Sequence, residues 1–284
     1  MTDFSNVFLI SDMDGTLINS KSQISTINKY ALNEFTKAGG TFAVATGRTL
    51  HSCKQYIPEL PINAPSIFYN GTILQDTNNN VVLKTLSLQT KILFNFLKQC
   101  LIHCPNTCIE LHTKDTFYII TKEEFDDPVI KRENLSYIRS NLDDLYDLDI
   151  LKVQFYTTTN THTISWLHNF AKSMEMDKIA KYFTSWSSYF ELIPKNASKG
   201  IMLDNLRKMP MYKDKIFIAV GDFDNDIEML LFADYGIAAQ NATQNLKQVA
   251  DIIGVSCDEH LLFHVINKII PNLDKLMITT LQTA

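Results

Sequence analysis

The chain has 284 residues, of which 45% are hydrophobic and 20% charged, and a formal net charge of −5. That length suits two domains of ordinary size, and the composition excludes a disordered or fibrous chain. An acidic balance with no basic stripe sets nucleic acid aside as a partner.

The first apolar run, Val7 to Ile10, is continuous, as expected of a parallel strand covered on both faces. It is too short for a signal peptide or a spanning helix, so the expectation is a cytoplasmic protein with no membrane partner. Asp12-Met13-Asp14-Gly15-Thr16 follows directly. Residues 24–37 read as a helix that ends at Gly39-Gly40, a pair suited to a left-handed C-cap. Residues 41–45 form a second strand, followed by Thr46-Gly47-Arg48, and residues 66–69 a third, followed by Asn70-Gly71. Strands separated by helices imply right-handed crossovers in a doubly wound sheet.

From about residue 73 the rhythm changes. A hairpin over 73–84 turns at Asn78-Asn79-Asn80, a helix spans 88–103, and 107–120 reads as paired strands. Leu151, Val153 and Phe155 alternate with Lys152, Gln154 and Tyr156, the pattern of a strand with one polar face. Ile164, Leu167, Phe170, Ala171 and Met174 mark another helix. The opening rhythm returns near residue 198 with a helix over 198–208, a strand over 216–220 and a helix over 225–233. The expected fold is therefore α/β: a doubly wound, Rossmann-like parallel-sheet core over 1–82 and 190–284, with an α+β domain inserted over 83–189.

Five cysteines without a secretion signal are expected to be reduced. Cys100, His103, Cys104 and Cys108 invite a zinc site, but Cys100 and Cys104 continue the helical spacing of Ile92, Leu93, Phe96 and Leu97 and read better as small hydrophobes.

Ligands of open α/β sheets bind beyond the carboxyl ends of the strands, where Asp12 and Asp14 stand. Side chains two apart in an extended segment share a face, so both carboxylates are expected in one site. Such a pair suits phosphoryl transfer: one attacks phosphorus and holds a metal, while the other protonates the leaving oxygen and then activates water. Gly221-Asp222-Phe223-Asp224-Asn225-Asp226 also follows an apolar strand. Crowded aspartates repel, at a cost a cation can offset, and magnesium accepts such oxygens together with water. Asp12, Asp222 and the Asp14 carbonyl would form that set, whereas Asp224 and Asp226 also suit the start of the next helix. Thr46 and Gly47 can bond phosphate oxygens, and Arg48 can grip a substrate anion bidentately. Lys199, in Ser198-Lys199-Gly200 at a helix start, makes sense if an anion sits there with it.

These four segments, in this order, resemble the haloacid dehalogenase-like superfamily, and with the inserted domain its Cof-type branch of sugar-phosphate phosphatases. The resemblance implies Asp12 as nucleophile and Asp14 as general acid/base. It implies Thr46 and Lys199 on the phosphoryl group, and Mg2+ held by Asp12, the Asp14 carbonyl and Asp222. Asn225 would contact phosphate and Asp226 would support the metal shell or orient Lys199. Asn70-Gly71 matches the turn before the cap, with Asn70 expected on the substrate phosphate, and Gly236-Ile237-Ala238 with Asn241-Ala242 matches the segment after the fourth motif. The inserted domain would be a cap that selects the leaving group, with Glu110, His112, Lys152, Gln154 and Tyr156 as candidates. The implied partner is a small phosphorylated metabolite, and the implied state a monomer. Two departures stand out: Asn196-Ala197 replaces Gly-Val before Ser-Lys-Gly, and Asp258-Glu259-His260-Leu261 replaces an acidic-Gly segment. A phosphomutase or phosphotransferase using the same Asp12, a metal-dependent glycosyltransferase and a non-catalytic phosphosugar-binding regulator are the competing functions.

Overall fold

Val7–Ser11 form β1, and all five residues are buried, as an apolar strand covered on both faces requires. In the computed structural model, which describes residues 3–88, 90–132, 134–157, 161–185 and 187–273, β1 is followed by α1 (Thr26–Lys37) and β2 (Thr41–Val44). The Ser25 side chain caps α1 by accepting from the Asn28 amide, and the helix buries Asn28, Ala31, Leu32 and Phe35. The chain continues through the single turn α2 (Leu50–Cys53), β3 (Ser66–Phe68), β4 (Ile73–Asp76) and β5 (Val81–Thr85). The asparagine turn forms as expected: Asp76 Oδ1 accepts from the amides of Asn78 and Asn79.

Next come α3 (Thr90–His103), β6 (Cys108–His112), β7 (Phe117–Ile119), α4 (Pro128–Arg132), β8 (Ile138–Arg139), β9 (Lys152–Tyr156), α5 (Thr161–Ser173), β10 (Ala180–Ser185) and β11 (Tyr189–Pro194). The chain ends with α6 (Lys199–Arg207), β12 (Ile216–Gly221), α7 (Ile227–Phe232), β13 (Tyr235–Ala238), α8 (Gln244–Val249), β14 (Ile252–Ile253) and α9 (Leu261–His264). Residues 274–284, placed in the core from sequence, lie outside the described residues.

Two compact units result: Met1–Leu83 with Ser198–Ala284, and Lys84–Ala197. Residues 190–197, assigned to the core from sequence, fall in the second unit because β11 pairs with β9 and β10 there.

In the first unit the sheet runs β14-β13-β12-β1-β2, parallel throughout, and Ala45 bridges in parallel to Ile67 of β3. From the adjacent pair β1 and β12, the chain winds outward in opposite directions, to β2 and to β13. A crevice at the carboxyl ends of these two strands is the switch point where such sheets bind ligands.

The second unit holds a sheet of order β10-β11-β9-β6-β7-β8, antiparallel except for β7 with β8. One face packs Ile109, Leu111, Val153, Phe155, Phe190 and Leu192 against Phe96, Leu97 and Cys100 of α3 and Leu167 of α5. All five cysteines are buried free thiols. No helix among the described residues is long and apolar enough to cross a membrane.

Candidate active site

Asp12 stands at the switch point because β1 delivers it there: its amide donates to Val220 O of β12 at 2.9 Å. The side chain is nearly enclosed. Lys199 comes from the first residue of α6, whose N-cap Ser198 accepts from the Ile201 amide at 3.0 Å. The loop before β4 presses on this helix start. A Cβ on Gly71, at φ +91°, would lie 2.1 Å from Ser198 O, so only glycine fits.

The Lys199 ammonium lies 2.6 Å from Asp12 Oδ1 and 2.6 Å from Asp226 Oδ1. Asp226 Oδ2 accepts from the amides of Asp222 (3.0 Å) and Phe223 (3.2 Å). Asp226, read from sequence as a metal ligand, thus has both oxygens engaged, one by the lysine and one by the turn that presents Asp222. Asp222 Oδ1 accepts from Thr16 Oγ1 at 2.9 Å. One carboxylate oxygen from each of Asp12, Asp222 and Asp226 lies within 4.8 Å of the other two.

Three carboxylates face one ammonium here, and the titration behaviour reflects it. Burial pushes Asp12 well above the usual carboxylate range, against the pull of Lys199. Asp222 is pushed up to about 6 by burial and then by Asp226. Burial alone would lower Lys199, but Asp12 and Asp226 outweigh it and raise the amine on balance.

Thr46 is buried and accepts at Oγ1 from the Arg48 amide at 3.0 Å. The Asn70 amide donates to Thr46 O at 3.0 Å, and its side chain accepts from Asn225 Nδ2 at 2.8 Å. A Cβ on Gly47 would lie 2.9 Å from Asn70 Oδ1. Gly47, Asn70 and Asn225 therefore form one continuous contact at the ends of β2, β3 and β12.

Asp14 and Arg48 depart from the sequence reading. The extended chain ends with β1 at Ser11, and Gly15 turns at φ +75°, so the two-residue alternation does not carry to Asp14. Its side chain is 54% exposed, against 8% for Asp12. Arg48, expected on a substrate anion, holds Asp14 here: Nε to Oδ2 and Nη2 to Oδ1, each at 2.7 Å. A planar fork matches a carboxylate well enough to explain that choice.

Two side chains that sequence showed only as parts of motifs, Thr16 and Asn241, turn out to hold the site in position. Asn241 donates to Gly15 O at 2.8 Å and accepts from the Cys257 amide at 2.9 Å, which ties the Asp12–Gly15 turn to a distant loop. Asp224 accepts from Thr243 Oγ1 (2.6 Å) and Asn245 Nδ2 (2.9 Å), a structural tie between the β12 turn and α8.

In the second unit, Glu110, His112 and Lys152 are buried on the polar side of the sheet rather than solvated. Lys152 pairs with Glu191 at 2.7 Å. Glu110 Oε2 lies 3.1 Å from His112 Nε2 and 3.4 Å from Gln154 Nε2. Burial pushes Glu110 up to about 8 and His112 down to about 3, so near neutral pH they meet as two neutral groups. Tyr156 on the same face packs with Cys108, Phe117, Ile119 and Ile130.

The model of the haloacid dehalogenase-like hydrolase family matches residues 9–266, nearly the whole chain and every residue of the site above. The chain belongs to this family. Among curated relatives of this hydrolase, phosphatase YwpJ of Bacillus subtilis is 26% identical over 91% of the chain and 98% of its own length. A protein of Arabidopsis thaliana named endoribonuclease YBEY, chloroplastic, is 29% identical over 89% of the chain, which spans only 44% of that protein. The fold is that of a haloacid dehalogenase-like hydrolase from Bacteroides thetaiotaomicron, with a TM-score of 0.80, 22% identity, and coverage of 93% of this chain and 99% of the other.

Proposed function

We propose that this hydrolase is a phosphatase that cleaves a small phosphorylated metabolite with Mg2+, through an aspartyl-phosphate on Asp12. The observation that carries the reading is the meeting of Asp12, Asp222 and Asp226 with Lys199 at one sheet switch point. A binding site for an anion alone would not need three carboxylates.

The donor set fits Mg2+. Asp12 and Asp222 supply hard oxygens, and Asp222 lies where a Cβ on Gly15 would touch its Oδ2 at 2.3 Å, so the turn is shaped around that carboxylate. Asp12, Asp222 and the Asp14 backbone carbonyl would hold the ion, which would offset the excess negative charge and withdraw electrons from a phosphate oxygen. Asp226 is better suited to orienting Lys199 than to metal ligation.

Asp12 would attack phosphorus with a carboxylate oxygen. The P–O ester bond breaks, its electron pair stays on the leaving oxygen, and that oxygen takes the Asp14 proton. Water then attacks the phosphoryl group and gives a proton to the Asp14 carboxylate. The bond to Asp12 breaks, inorganic phosphate leaves, and both side chains return to their starting states. Lys199, Thr46, Gly47 and Asn225 would bind the phosphoryl oxygens, with Asn70 holding Asn225 in place. A relative named a phosphatase, matched over 98% of its own length, supports the hydrolysis of a phosphate ester.

The test is phosphate release from a library of phosphorylated metabolites, with and without Mg2+. Release that needs Mg2+ and vanishes in Asp12→Asn is expected. Transfer to an acceptor without release would favour a mutase, and hydrolysis by Asp12→Asn at the wild-type rate would reject the mechanism.

A further inference from the structure

In an in-line displacement the attacking and leaving oxygens stand on opposite sides of phosphorus. Asp12, 6% exposed, is at the floor of the site, so the leaving oxygen must point toward the open side. Asp14, with a half-exposed side chain, stands on that open side. Arg48 holds it there through two parallel bonds of 2.7 Å. Arg48 is in turn seated on Tyr56, its guanidinium carbon 5.1 Å from the ring centroid, and the Tyr56 hydroxyl donates to Ser22 O at 3.3 Å.

We propose that Arg48, braced by Tyr56, is a positioning residue for Asp14, holding its carboxyl where the leaving oxygen will stand, and is not a substrate-anion ligand. The inference rests on the reading of Asp14 as acid/base given above. A fork has two arms. A proton on Oδ1 displaces the Nη2 bond, and the Nε bond to Oδ2 still fixes the carboxyl plane. One guanidinium can thus hold Asp14 both when it gives its proton to the leaving oxygen and when it takes one from water. A lysine carries the same charge but has no fork, so charge and geometry are separable.

The test compares kcat/KM, which reports transfer to Asp12, across esters of different leaving ability. p-Nitrophenyl phosphate departs without protonation; phenyl phosphate and the alkyl phosphate that the wild type cleaves fastest need an acid. Arg48→Ala and Arg48→Lys should both lose about 100-fold or more on the alkyl ester, the contribution of a general acid, and less than about tenfold on p-nitrophenyl phosphate. Phenyl phosphate should fall between them. Tyr56→Leu, which leaves Arg48 in place, should show the same selective loss to a smaller degree. Equal losses on all esters with a raised KM would make Arg48 a substrate ligand, and unchanged values would make the pair a surface contact; either result overturns the proposal. Both leave the phosphatase reading standing, because phosphate release by the wild type tests that reading separately.

Discussion

Lys199 and Asp226 form an ion pair of 2.6 Å in which neither side chain is exposed at all. Such a pair is retained at a cost in desolvation, and its second contact explains why: the same ammonium reaches Asp12. Breaking it should hurt folding before chemistry is considered. Lys199→Met leaves Asp12 and Asp226 buried without their cation, and the metal-free protein should lose about 3–5 kcal/mol, measured as a lower urea midpoint. Added Mg2+ should recover part of that loss, because a divalent cation offsets the same carboxylates.

Gly15→Ala should act on the metal rather than the fold. The new methyl group would meet Asp222 Oδ2 at 2.3 Å on a backbone of φ +75°. Asp222 must turn away, and Mg2+ affinity measured by calorimetry should fall about 10- to 100-fold, as when a ligand loses its orientation. Unchanged affinity would mean that Asp222 does not bind the ion.

The second unit carries a pH signature of its own. Glu110 rises from 4.5 unfolded to about 8 folded, chiefly through burial. Its contribution to stability is therefore complete below about pH 4.5 and is lost as pH climbs through 8, because the folded state binds the proton more tightly. Glu110→Gln, which cannot ionise, should unfold at a higher urea concentration than the wild type at pH 9, and the gap should close as pH falls to about 4. Parallel curves for the two proteins would show that Glu110 is ionised in the folded state.

His260 replaces the glycine of the acidic-Gly segment that the family resemblance leads one to expect, and it adopts the left-handed conformation, φ 62° and ψ 52°. That backbone costs a side-chain residue roughly 1–2 kcal/mol. His260 Nδ1 lies 3.0 Å from Ser25 Oγ, an interaction worth about 1 kcal/mol in return. His260→Gly should stay within about 1 kcal/mol of the wild type in urea unfolding. His260→Ala, which keeps the strain and loses the bond, should cost about 1 kcal/mol more.

The parallel core was legible because its strands are continuous apolar runs closed by motifs of Asp, Thr and Gly. Val7–Ile10 could be placed before any contact was known, and so could the neighbouring strand that ends at Gly221. Asp12, Asp222 and Lys199 stood at element ends, where side chains converge by topology. The Arg48 contact was not legible because a strand-end arginine serves a substrate anion and a neighbouring carboxylate equally well on paper. The Gly15 turn, which swings Asp14 outward, brings that carboxylate to Arg48. The burial of Glu110 and Lys152 was hidden for another reason: alternation distinguishes two faces of a strand but not whether the polar face meets water. Asn241 was visible only as part of a family segment, and its role was not, since its partners, Gly15 and Cys257, are 226 and 16 residues away.

The central claim is a covalent bond between phosphorus and Asp12, and it can be read directly. The protein should be quenched while turning over p-nitrophenyl phosphate with Mg2+, reduced with borohydride and mapped by peptide mass spectrometry. An aspartyl-phosphate is reduced to homoserine, so the account predicts homoserine at position 12 in the wild type and none in Asp12→Asn. Sustained hydrolysis with residue 12 recovered only as aspartate, and homoserine at another position, would contradict it.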